Sequence, residues 1–187
     1  MTDALFVALG AVIVFGLVWL RTRFFSFSAQ KPEDYADSTQ QFDLRTHLDG
    51  PLICEGVIYG PTGRVTSRFV GDFHVQWDGN RGVMHEHFRY ESGKEQHREW
   101  ALVLSNDGGI KATAPDLVGE GKGAQRGGSV NLRYRIRLPD DSGGHVLDTL
   151  DWMYLTPNGT IVNRSQFRKY GFKVAELVAT MRKVEAA

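Results

Sequence analysis

Cysteine is almost missing from this 187-residue sequence, with Cys54 the only one. A disulfide within the chain is excluded, and so is a zinc cluster built on several cysteines. Proline is also sparse, at 6 residues, while 21 glycines fall mostly singly between short apolar runs. Neither sign of charge dominates, since 22 Lys and Arg face 22 Asp and Glu. That balance disfavours a basic nucleic-acid binder and an acidic solvating tail. No long-period repeat or low-complexity tract is present. What remains is ordinary for a folded protein: 42% hydrophobic and 24% charged residues, too apolar for disorder. Scattered glycines between short runs predict an all-β domain with many turns.

One apolar run stands apart. Residues 4–20, ALFVALGAVIVFGLVWL, carry no charge. As a helix rising ~1.5 Å per residue they reach about 25 Å, slightly short of a ~30 Å hydrocarbon core. Phe24, Phe25 and Phe27 extend the buried length, and Arg21 and Arg23 can snorkel. Trp19 sits where interfacial aromatics are expected. A cleaved signal peptide needs a basic start and a small-residue cleavage site. Here Met1, Thr2 and Asp3 precede the run, and Trp19-Leu20-Arg21 ends it. A buried core helix is the other alternative. We read residues 1–25 as an uncleaved anchor that contacts the lipid bilayer through residues 4–20. Arg21, Arg23 and Lys31 follow the span while Asp3 precedes it. The positive-inside rule therefore predicts a cytoplasmic C-terminal domain, with a periplasmic one as the alternative.

Residues 26–41, SFSAQKPEDYADSTQQ, read as a polar linker, and residues 42–187 as the globular domain. The clearest alternation is Val130, Leu132, Tyr134, Ile136 and Leu138 against Asn131, Arg133, Arg135 and Arg137. Period two with one apolar face means a sheet with one dry side. Similar runs cover 52–59, 65–77, 82–90, 95–105, 110–114, 117–125, 145–155 and 160–170. Residues 174–182 fit a helix or a strand, and a strand is favoured because a barrel needs a last strand to pair with its first. About 8–10 strands joined by short turns predict an antiparallel meander closed into a barrel.

Chemistry-bearing residues fall in three places. In the hairpin 84–102, Glu86, Phe88 and Tyr90 share one face, and Arg98 and Trp100 share the facing one. Glu86 and Arg98 then meet inside, as a register-fixing ion pair or as a ligand head-group site. The same register turns His85, His87 and His97 outward, so no metal site is expected. Gly119, Gly121 and Gly123 bare one strand face, which lets the strand bend or makes room for a bulky side chain or ligand. Lys122 is followed by Gly123 rather than Ser or Thr, so a phosphate loop is not expected. The third place is a hairpin bringing together Asp151, Trp152, Asn163, Arg164 and Ser165, read as a polar network with Trp152 stacked on Arg164. It lacks a triad histidine, and no cofactor is expected.

The ordered pattern resembles a bacterial family, the domain of unknown function numbered 3833. The residues are Phe42-Asp43-Leu44-Arg45, Gly50, Gly56, Gly63-Arg64-Val65, Arg68-Phe69 and Trp77-Asp78-Gly79. They continue through Glu86, Phe88, Tyr90, Ser92-Gly93, Arg98, Trp100 and Asp116 to Gly119. Asp151 to Leu155, Asn163-Arg164-Ser165, Lys169 and Gly171 complete the set. The resemblance implies a lipocalin-like (calycin-like) barrel at the bacterial membrane or envelope, with no established activity. Many members look like lipoproteins. This chain departs from them, with an anchor and no lipidated cysteine, which gives a single-pass protein of the bacterial inner membrane. Relatives are encoded near lipid-modifying genes, such as fatty-acid cyclopropanation genes, which favours a lipid ligand.

Three functions follow as expectations. The first is a membrane-anchored barrel that binds a lipid or other apolar small molecule. Its candidate ligand residues are Glu86, Phe88, Tyr90, Arg98, Trp100, Gly119, Gly121, Gly123 and Tyr134. The second is an enzyme acting on a lipid-derived substrate inside the barrel, for which no acid–base pair poised near neutrality is evident. The third is a filled, non-catalytic barrel that serves as a scaffold for a membrane partner.

Overall fold

Alternating side chains and short turns give ten strands in the computed structural model, which describes residues 2–184. They are β1 (Gly50–Tyr59), β2 (Val65–Asp78), β3 (Arg81–Tyr90), β4 (Glu95–Leu104), β5 (Gly109–Thr113), β6 (Gly121–Arg126), β7 (Ser129–Arg137), β8 (Val146–Leu155), β9 (Ile161–Lys169) and β10 (Phe172–Lys183). Each pairs antiparallel with the next, and β10 returns to β1, so the barrel closes. Among the described residues, closure leaves no unpaired sheet edge for another chain to extend. The turns before β4 and β9 place Gly93 (φ 82°) and Gly159 (φ 81°) in the left-handed region that glycine adopts without strain. The expected domain limits at Met1 and Ala187 lie outside the described residues.

The last segment is the favoured strand, with Leu177, Ala179 and Met181 paired to Ile58, Gly56 and Cys54 of β1. The expected strand 117–125 is shorter than the pattern suggested. Leu117 makes one isolated bridge to Ile136, and regular pairing starts at Gly121. Gly119 lies between them at φ 82°, a conformation that breaks an extended run.

Before the barrel, α1 (Thr2–Phe24) is long and apolar enough to cross a membrane. None of that apolar window is buried within the protein.

The polar linker expected over 26–41 is instead packed on the barrel wall. Two short 3-10 turns, Phe27–Ala29 and Pro32–Tyr35, lie there. Tyr35 packs on Trp152 and Tyr154, with ring centres 5.3 and 5.5 Å apart. The Tyr154 hydroxyl donates to Gln30 at 2.7 Å. The cause lies in β8, whose outward residues Leu150, Trp152 and Tyr154 are apolar or aromatic and need cover. Under it Trp152 reaches 0% exposure.

A four-residue helix, α2 (Leu44–His47), went unforeseen in the sequence. Asp43 caps it by accepting the Arg45 backbone N–H at 2.9 Å. Leu44 and Leu48 are buried. The Trp77 indole N–H donates to the Leu48 carbonyl at 2.7 Å, which ties this turn to β2.

Candidate functional site

The inward faces of the strands leave a cavity of about 130 Å³ inside the barrel. Most of its lining is apolar, including Phe69, Phe73, Leu132 and Met153. Five polar side chains interrupt that lining on two sides: Glu86 and Arg98 from β3 and β4, and Asp151, Asn163 and Ser165 from β8 and β9.

Glu86 stands directly opposite Arg98 in the β3–β4 register. The guanidinium donates to Glu86 at 3.3 Å through Nη1, and to Asp116 at 2.7 and 3.2 Å through Nε and Nη2. It also lies 4.6 Å over the Trp100 ring, whose indole N–H donates to Glu86 at 3.1 Å. Burial raises the Glu86 pKa, against the opposing pull of Arg98 and Trp100. Burial works to lower the Arg98 pKa, but Glu86 and Asp116 outweigh it and hold the guanidinium charged. Asp116 was missing from the expected site. It follows Pro115 in an irregular segment, where no strand parity announces a direction.

Across the cavity, Asp151 accepts hydrogen bonds from the Ser165 hydroxyl at 2.8 Å and from the Asn163 amide. Its nearest donors are therefore neutral. Burial raises its pKa, and those two donors only partly oppose the rise. Tyr134 borders the same space, and burial pushes its hydroxyl pKa well up. Cys54 also lines it, with a thiol pushed far above its ordinary range by burial, so it stays protonated and inert.

Glu86, Phe88, Arg98, Trp100 and Tyr134 all line the cavity. Tyr90 sits outside that lining and donates to Gln96 at 2.9 Å. The three glycines are elsewhere too. A Cβ added to Gly121 would meet the Tyr134 Cβ at 3.1 Å, and one at Gly123 would strike the Asn131 carbonyl. These two glycines make room for β7 side chains and backbone, while Gly119 makes the bend before β6. The expected stack of Trp152 on Arg164 is also corrected. Parity turns both residues outward, where Trp152 meets Tyr35 and Arg164 lies 4.6 Å over Phe27 and pairs with Glu176. Asp151, Asn163 and Ser165 face inward and keep the network. Sequence reasoning also missed Met153, Phe167 and Ala179 as lining. Their parity was readable, but their shared cavity depends on how ten strands tilt.

A family described as "Protein of unknown function (DUF3833)" matches residues 22–183. No curated protein matches the sequence significantly. Among solved structures, an S-type phycobiliprotein lyase, CPES, from Guillardia theta superposes with a TM-score of 0.59 at 9% identity, covering 84% of this chain and 99% of that one. Rv2717c from M. tuberculosis does so with a TM-score of 0.54 at 14% identity, covering 76% and 97%. At such identities the likeness carries the lipocalin-like barrel and nothing about a ligand.

Proposed function

The chain belongs to the DUF3833 family of proteins of unknown function, and from that premise we propose that it is a membrane-anchored barrel that binds one small ligand in its interior. The observation that carries this reading is the cavity, a mostly apolar space with a few convergent polar groups. Its volume limits the ligand. The cavity measures about 130 Å³. It is close to an engineered apolar cavity of about 150 Å³ that takes benzene. A whole acyl chain of a dozen carbons does not fit. A lipid-derived ligand would place one end inside, and a compact apolar molecule would enter entirely.

Charge sets the polar end. Among the described residues Arg98 is the only guanidinium on the lining, and its charge is already shared between Glu86 and Asp116, which take three of its five N–H donors. A free carboxylate ligand therefore finds no unspent cation, while Glu86 and Asp151 offer acceptors. The preferred ligand carries a hydrogen-bond donor, an alcohol or amine, on an apolar body.

Membrane anchoring rests on α1 and gains support at one end of the barrel. Tyr170 and Phe172, at the β9–β10 turn, are 88% and 77% exposed. Arg168, Lys169 and Lys173 flank them. Exposed aromatics beside cations suit an anionic lipid surface.

The test is native mass spectrometry of the detergent-extracted full chain. The wild type should carry a one-to-one adduct. Ala179→Leu adds three carbons to the cavity wall. That variant should lose the adduct yet keep its melting temperature within a few degrees. A wild type with no adduct, together with an Ala179→Leu variant that melts far earlier, would establish a filled scaffold.

The raised carboxyl pKa values favour a second reading, acid–base chemistry on the bound molecule. Conversion of the co-purified molecule that Asp151→Asn abolishes would favour it over binding alone.

A further inference from the structure

Four of the six histidines, His74, His85, His87 and His97, share the outer face of β2, β3 and β4. This is the side of the hairpin turned away from the cavity. His87 stands directly opposite His97, with their rings stacked 4.2 Å apart. Glu95 lies two residues from His97 on the same face and sits 2.9 Å from His87 Nε2. One ligand atom from each of His87, Glu95 and His97 can be chosen so that all lie within 4.8 Å of one another. Facing solvent does not disqualify such a set, because a divalent ion can complete its coordination with water.

The neighbouring groups are already engaged. Asp72 opposes His87 from β2, but Arg89 holds its carboxylate. His85 pairs with Glu99 at 3.2 Å, and His74 with Gln76 at 3.1 Å. His87, Glu95 and His97 form the one trio of convergent ligand atoms among the described residues.

We infer that His87, Glu95 and His97 form a surface site for a divalent transition metal of the zinc type. Two imidazoles and one carboxylate suit zinc, nickel or copper(II) better than the hard, oxygen-preferring magnesium or calcium. Metal–ligand bonds of about 2.1 Å place tetrahedral ligand atoms ~3.4 Å apart, so the widest separation in the trio must close by up to about 1.4 Å. The rings must also turn out of their parallel stack to aim nitrogen lone pairs at one ion. His87 is partly exposed, and Glu95 and His97 are exposed, so rotamer changes supply both motions without moving the strands. The strand pairing holds the three Cα positions. His87 and His97 also line a surface cleft of about 790 Å³, which leaves room for water at the remaining positions.

The experiment titrates ZnCl₂ into the tag-free, EDTA-treated and dialysed full chain in detergent, by calorimetry. One ion should bind per chain. His97→Ala and Glu95→Gln should each weaken binding at least about tenfold, while His47→Ala leaves it unchanged. Circular dichroism of each variant checks the fold. Cobalt(II) should bind competitively and show visible absorption that His97→Ala removes. No saturable zinc binding by the wild type would overturn the site. Binding undiminished in folded His97→Ala and His87→Ala would do so as well, and would move the ion to His74, His85 and Glu99.

Discussion

The cavity holds one buried carboxylate, Glu86, and one part-buried carboxylate, Asp151, supported in opposite ways. Glu86 has a cation and an indole N–H, and its cation is shared with Asp116. Asp151 has a hydroxyl and an amide, with no cation in hydrogen-bond contact among the described residues. The β3–β4 side thus resolves its charge by pairing, whereas the β8–β9 side leaves its charge to be resolved by a proton or by a ligand's donor. Ion pairs fix register, and an uncompensated acceptor is the group that a bound molecule can satisfy. Asp151 is therefore the part of the lining most sensitive to occupancy.

The largest expected effect breaks the paired side. Arg98→Ala strands Glu86 where side-chain exposure is 8%, and should cost about 3–5 kcal/mol in denaturant unfolding. Adding Glu86→Gln should recover part of that. A loss below about 1 kcal/mol would make the pair a solvent-screened one and erase the contrast between the two sides.

On the neutral side, Ser165→Ala removes the 2.8 Å donor to Asp151. The expected cost is about 1–3 kcal/mol, larger at pH 8, where the carboxylate is more often ionised, than at pH 5. Equal costs at both values would mean that Asp151 keeps one protonation state throughout.

The smallest effect sharpens the contrast through pH. The folded pKa of Asp151 lies above its unfolded value because burial disfavours the charge. The folded state then binds the proton more tightly. Stability is fully present at pH values below the unfolded pKa and falls as pH rises through the folded pKa. Asp151→Asn keeps the shape without the titration. It should match the wild type near pH 4 and equal or exceed it at pH 8, by thermal melting. A variant that loses stability more steeply than the wild type as pH rises would reverse the assignment.

Much of this architecture was legible because strand parity is a local rule. Val130 to Leu138 announces one dry face, and the same rule places Glu86 opposite Arg98 and turns His85 and His87 outward. The features it missed are long-range. Residues 26–41 look like a linker because their few aromatics find partners, such as Trp152, more than a hundred residues away. Asp116 joins Arg98 from a segment without regular pairing. Gly121 and Gly123 bare a strand face in the sequence, but only the three-dimensional arrangement shows that Tyr134 and Asn131 occupy the space they leave. Cavity volume is the least legible quantity, since it is a small remainder after ten strands and their side chains have packed.

The pairing of β1 with β10 bears on how the chain is made. Every other ladder joins strands adjacent in sequence and can form as the chain grows. Leu52 meets Lys183 only after the last strand has left the ribosome. Closing a loop of about 130 residues costs on the order of 4 kcal/mol in chain entropy, and that cost falls on a single late step. Until then β1 and β9 present open edges. The slow, vulnerable interval in this protein's life is the wait for β10, and substitutions in residues 172–183 should raise aggregation during synthesis more than their effect on the finished barrel predicts.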